Sequence, residues 1–164
     1  MYIPEFQTNQ CGIPIISGEE LDKIGERMVV DFSPKTAFTP GEIDIDRFVT
    51  GYLGMKQDFC YLSHCGIYLG MTVFRDSNCI PVYYPEQNKA DYISAKAGTV
   101  ILDTSLLEDG QEHRYRFTMG HESSHKILHT AYFLNDVDSG NPYAKDVEAF
   151  VRCRTDHYQF NILS

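Results

Sequence analysis

Apolar positions along the chain follow two rhythms, one helical and one extended. Leu21, Ile24 and Met28 recur at helical spacing, and the S-G-E-E just before them pairs Ser17 with Glu20 in the form of a capping box. A first helix is predicted over about residues 18–31. T-P-G-E at 39–42 repeats the device, with Thr39 as cap, Pro40 at the first helical position and Glu42 closing the box. Ile45, Phe48, Val49, Tyr52 and Leu53 then form one apolar stripe, which Gly54 ends. From residue 58 the rhythm changes to short β-branched and aromatic runs between turn formers: DFCYLSH, MTVFRD, IPVYYP, DYISAK and GTVILDT. These predict a small, mostly antiparallel sheet, with Thr99 to Leu102 as its most deeply buried strand. A long helix is predicted over about residues 111–131. S-G-N-P-Y-A-K signals one more, with Asn141 as cap and Pro142 at its first position. Two helices, a sheet and two helices make an α+β domain.

Length agrees with one domain. The 164 residues are 43% apolar and 13% aromatic, enough for a single core and too few for two. The net charge of −9 and the lack of any basic run argue against direct nucleic-acid binding. M-Y-I-P-E-F-Q-T-N-Q has neither the positive start nor the apolar core of a secretion signal, and no apolar run is long enough to span a bilayer. A cytoplasmic, non-membrane protein is expected. The five cysteines, Cys11, Cys60, Cys65, Cys79 and Cys153, form no C-x-x-C pair and are expected to be reduced thiols. Cys60 and Cys65 lack the second pair that a four-ligand metal site needs.

Chemistry concentrates in HESSH, residues 121–125. On a helix, four residues advance about 400°, so His121 and His125 lie within about 40° of each other and about 6 Å apart along the axis. Both imidazoles can reach one zinc ion, and Glu122, about 100° round the helix, flanks the position of a water it could deprotonate. The competing reading is a helix whose histidines are solvated or hydrogen-bonded in the core. His129 sits about 12 Å along the axis from His121, too far to share one ion easily, and is expected to act structurally or behind the ligands. His64, His113 and His157 have no spacing that nominates them. Ser123 and Ser124 lie inside a helix with no elbow turn, which argues against a serine nucleophile.

A catalytic zinc site needs a third protein donor. Glu148 is the candidate: Ala144 and Val151 stand at helical spacing from it, placing a carboxylate on a partly apolar face. An ordinary exposed helix glutamate is the alternative. Asp138, Asp146 and Asp156 are weaker candidates, the first in a loop and the others off that face.

At HRYRFTMGHESSHKILH, residues 113–129, and at the preceding GTVILDTSLL, the chain resembles the ImmA/IrrE family of metallopeptidase-like proteins, over about residues 80–133. The resemblance implies a compact zincin-like fold, His121 and His125 as zinc ligands and Glu122 as catalytic base. It also implies a bacterial peptidase whose targets are repressor-type transcription regulators, commonly of mobile elements or stress responses. Ser124 replaces a frequent glycine. The family's third ligand is a Glu opening an E-x-x-A-N-x-x-A-like helix, whereas this chain offers only VEAFVRC before ending at NILS. Either Glu148 is that ligand in a divergent setting, or the ligand lay downstream and the chain is a truncated piece.

Two functions are expected on these grounds. One is a zinc-dependent endopeptidase acting on a regulatory protein, with an edge strand aligning the extended substrate. The other is a weak or inactive zincin-like module that binds a regulatory partner without cutting it.

Overall fold

The structure, a computed structural model, describes residues 1–135 and 150–154, with Asn135 and 150–154 described by their backbone alone. The chain opens with a small ladder of β1 (Gln7–Thr8) and β2 (Pro14–Ile15), followed by α1 (Gly18–Phe32). The predicted capping box forms. Ser17 Oγ accepts the Glu20 N–H at 3.2 Å while a Glu20 carboxylate oxygen accepts the Ser17 N–H at 2.9 Å, an arrangement worth about 1 kcal/mol. Ile24 and Met28 are buried as their spacing requires.

The second helix starts later than predicted. No helix follows Thr39; the turn begins after Asp44, whose carboxylate accepts the Arg47 N–H at 2.9 Å, and it continues as a π-helical segment over Arg47–Tyr52. Glu42 does not cap it, because Arg116 holds that carboxylate at 2.9 Å and also donates to the Ile43 carbonyl at 2.8 Å. The π register keeps Phe48 and Tyr52 stacked, with Phe32 edge-on to both.

A four-stranded sheet comes next, in the order β3 (Lys56–Cys60), β7 (Thr99–Asp103), β4 (Tyr68–Val73), β8 (Phe150–Arg154). The β3–β7 pair is parallel and the others antiparallel. The predicted strands do not share one sheet: β5 (Ser77–Tyr84) and β6 (Lys89–Ala95) make a separate antiparallel hairpin. Val100, Ile101 and Leu102 are fully buried because β7 is internal and both its faces are covered, which explains its uninterrupted apolar run. Leu102 and Val100 join Ile24, Met28, Phe48, Val49 and Met119 on one side, while Ile101 joins Met71, Val73, Ile80 and Leu62 beneath the hairpin. Asp103 ties the sheet ends together, accepting the Leu62 N–H at 2.8 Å and the Ser105 N–H at 3.0 Å.

The long C-terminal helix divides at His129 into α2 (Glu112–Leu128) and α3 (Thr130–Asn135). Thr130 helps to bend it, its hydroxyl donating to the Lys126 carbonyl at 2.5 Å. The helix start predicted at Asn141 and Pro142 lies outside the described residues. Beyond it, Phe150–Arg154 is a strand paired with β4, so Val151 is no helical neighbour of Glu148. The chain is mixed α+β, and among the described residues no helix is long and apolar enough to cross a membrane.

Candidate metal centre

Helix α2 lies across β4 and β7 and presents two kinds of surface. Towards the sheet it turns Thr118, Met119, Glu122 and Ser123, all buried; His121, His125 and His129 lie half-buried on its flank.

The two HESSH imidazoles converge. His121 Nε2 and His125 Nε2 are 3.1 Å apart, with the ring planes at 81°. Two bonds of about 2.0–2.1 Å to a common ion, meeting at roughly 100°, would separate the nitrogens by this distance. It is equally the length of an N–H···N hydrogen bond between neutral rings, so the nitrogens can share either a proton or an ion. Burial, reinforced by the neighbouring His121 and His129, pushes His125 down to about 4. At neutral pH it is therefore the uncharged ring that metals require. His129 stands directly behind, its Nδ1 2.8 Å from His125 Nδ1, and burial lowers its pKa as well.

Glu122 is fully buried between α2 and β4. Thr72 Oγ1 lies 2.7 Å from its Oε2 and 2.8 Å from its own carbonyl oxygen, while Oε1 has no hydrogen-bond partner. A hydroxyl has one proton, so both Thr72 contacts are hydrogen bonds at once only when the carboxyl carries its own proton. Burial favours that state, pushing Glu122 up to about 8 against the smaller opposing effect of Thr72. The carboxyl fits because position 70 has no side chain. A Cβ on Gly70 would stand 2.6 Å from Glu122 Cγ and 2.8 Å from Oε1. Gly70 and Thr72 are the site residues that sequence reasoning missed; only their alternation with Met71 and Val73 hinted that this strand face differs.

The serines are occupied. Ser123 donates to the Gly120 carbonyl at 2.9 Å and Ser124 to the His121 carbonyl at 2.6 Å, which fits helix packing rather than nucleophilic chemistry. Ser123 is buried against the sheet and Ser124 is half-buried. His64 and His113 are exposed, and Cys11, Cys60, Cys65 and Cys79 are free thiols.

The two Nε2 atoms are spaced for a shared proton or a shared ion alike, and a buried carboxyl with an unpartnered oxygen comes directly after the first of them in sequence. Among the described residues no group of three or more His, Cys, Asp or Glu side chains is placed to hold one ion. Glu148, Asp138, Asp146, Asp156 and His157 lie outside the described residues. No protein-family model, curated protein or solved structure gives a match to this chain.

Proposed function

We propose that the chain is a zinc-dependent endopeptidase of zincin-like fold, akin to the ImmA/IrrE metallopeptidases, acting on a repressor-type regulatory protein. The carrying observation is the 3.1 Å convergence of His121 Nε2 and His125 Nε2 on the helix that also bears Glu122. His121 and His125 would hold the ion, with Glu148 as the candidate third donor. When bound, zinc supplies the positive charge that polarises a peptide carbonyl and acidifies water. Glu122 is the base, and only in its ionised form, which burial confines to pH near and above about 8: it takes a proton from the attacking water and returns it to the departing amine. Thr72 anchors Oε2 and so fixes the orientation of the carboxyl. The free thiols fit a reducing, cytoplasmic setting.

The test joins metal content to proteolysis. After zinc loading, the wild type is expected to retain about one ion per chain and to cut a peptide library read by mass spectrometry. Glu122→Gln keeps the ion and loses cleavage. It also gains about 1 kcal/mol of folding stability, because an amide avoids desolvating a carboxyl at this buried position. Cleavage by the Gln variant at the wild-type rate would overturn the base assignment. Unchanged metal content in a His121→Ala/His125→Ala variant would overturn the site.

One observation favours a second reading, a module that binds a regulatory partner without cutting it. Glu122 has no exposed surface and faces an internal strand, so a substrate must displace structure to reach it. In that case the wild type retains zinc and cuts nothing, and Glu122→Gln regulates the partner as well as the wild type does.

A further inference from the structure

We infer that His129 is a positioning residue for His125, fixing the tautomer in which His125 Nε2 is a free electron pair pointed at the shared site. The inference rests on the metal reading above but adds a residue and a role to it. His121, His125 and His129 form a continuous line of rings on one flank of α2, joined by Nε2···Nε2 and Nδ1···Nδ1 contacts of 3.1 and 2.8 Å. The line follows from i, i+4 spacing: His129 closes α2 with its N–H still donating to the His125 carbonyl at 2.9 Å, so its ring lies one turn beyond that of His125.

A neutral imidazole carries one N–H and one lone pair. This makes the line directional. If His129 Nδ1–H donated to His125 Nδ1, the His125 proton would have to sit on Nε2, and that nitrogen could bind no ion. If His125 Nδ1–H donates to His129 Nδ1, His125 Nε2 is left as a lone pair, and His129 carries its own proton on Nε2. Only the second polarity lets His125 act as a ligand. An acceptor behind a ligating imidazole is the general means by which proteins fix ring orientation and raise donor strength, and losing it costs about 10- to 100-fold in metal affinity. Here the acceptor is another histidine on the same helix, rather than a carboxylate or a carbonyl. A ring bonded at its rear is also held against rotation, so the 3.1 Å convergence does not depend on the ion to form it.

Two substitutions separate this role from mere packing. Asn places an amide oxygen near the position of Nδ1 and can accept the same hydrogen bond; Leu fills the space without accepting. Zinc affinity, measured by competition with a chromophoric chelator, should fall about 10- to 100-fold in His129→Leu and stay within about threefold of wild type in His129→Asn. The second readout needs no metal. Two-bond ¹H–¹⁵N correlation spectra of the metal-free wild type should show His125 protonated at Nδ1, and His129→Leu should move it toward the Nε2–H form. Wild-type zinc affinity in His129→Leu, equal losses in the Leu and Asn variants, or a wild-type His125 protonated at Nε2 would each overturn the inference. If the wild type bound no zinc at all, the metal reading would fall, and the tautomer spectra alone would still decide what His129 does.

Discussion

On one face of β4, Met71 and Val73 meet Leu62, Ile80 and Ile101 in an apolar layer beneath the β5–β6 hairpin. On the other, Gly70 and Thr72 meet the buried carboxyl of Glu122. The strand is one and the alternation is the ordinary period of two, yet only the first face stabilises the fold in the usual way. Each large apolar side chain buried there contributes about 1.5–3 kcal/mol, whereas the second face buries an ionisable group whose Oε1 has no hydrogen-bond partner. A buried, partly unpartnered carboxyl on a central strand costs stability, and the proposed base role would account for that cost.

The sharpest way to break this contrast is to fill the space at residue 70. In an ordinary strand, alanine is better than glycine by about 0.5–1 kcal/mol. Here Gly70→Ala should instead destabilise by about 2–3 kcal/mol in urea titrations, because the new methyl stands 2.6 Å from Glu122 Cγ and 2.8 Å from Thr118 Cγ2. About half of that loss should be recovered in a Glu122→Ala background, with the remainder belonging to Thr118. A neutral or stabilising Gly70→Ala would mean that the carboxyl is not seated against β4.

Thr72→Val is the next largest. It keeps the shape and removes the hydroxyl, leaving both Glu122 Oε2 and the Glu122 carbonyl without the contacts at 2.7 and 2.8 Å. A loss of about 1–2 kcal/mol is expected, and it should shrink when Glu122 is already Leu, since the side-chain half of the pair is then gone. Full additivity of the two substitutions would show that Thr72 supports the helix backbone and not the carboxyl.

Whatever depends on neighbours in sequence could be read from the chain alone. The Ser17–Glu20 box, the apolar stripe through Ile24 and Met28, and the buried run of β7 are consequences of spacing and composition. So is the placing of His121 and His125 on one face of the helix, which i, i+4 spacing imposes, although the meeting of their Nε2 atoms depends on side-chain rotamers. The expectations that failed were decided across long separations. The helix expected after Thr39 begins only after Asp44, and Glu42 is paired with Arg116 from α2 instead of closing a box. Phe150–Arg154 reads as the continuation of a helix locally, and it is β4, far back in the chain, that makes it a strand. Gly70 and Thr72 carry no motif at all. Their role exists only once register sets them under Glu122, which no local pattern specifies.

The smallest effect tests the apolar face through its own ionisable group. Cys60 ends β3 on the hairpin side, half-buried beside Met71 and Ile101, and burial pushes its thiol up to about 11, with the Asp58 and Asp103 carboxylates adding to the shift. Unlike Glu122, it has no chemistry in the proposed reaction, so its shift reports only the environment. The raised value means that the folded protein holds the proton more tightly than the unfolded chain does. The stability this contributes is complete at neutral pH and declines as pH rises from the ordinary thiol range toward about 11. At pH 8 only about one thiol in a thousand is ionised at such a pKa, against roughly a quarter for a free cysteine, so iodoacetamide should label Cys60 at least about 100-fold more slowly in the folded protein than in urea. Peptide mapping should find Cys11, Cys65 and Cys79, which are exposed, modified well before it. Labelling of Cys60 at the rate of those three would mean that the hairpin does not seal this face of the sheet. The contrast with the Glu122 side would then lose its apolar half.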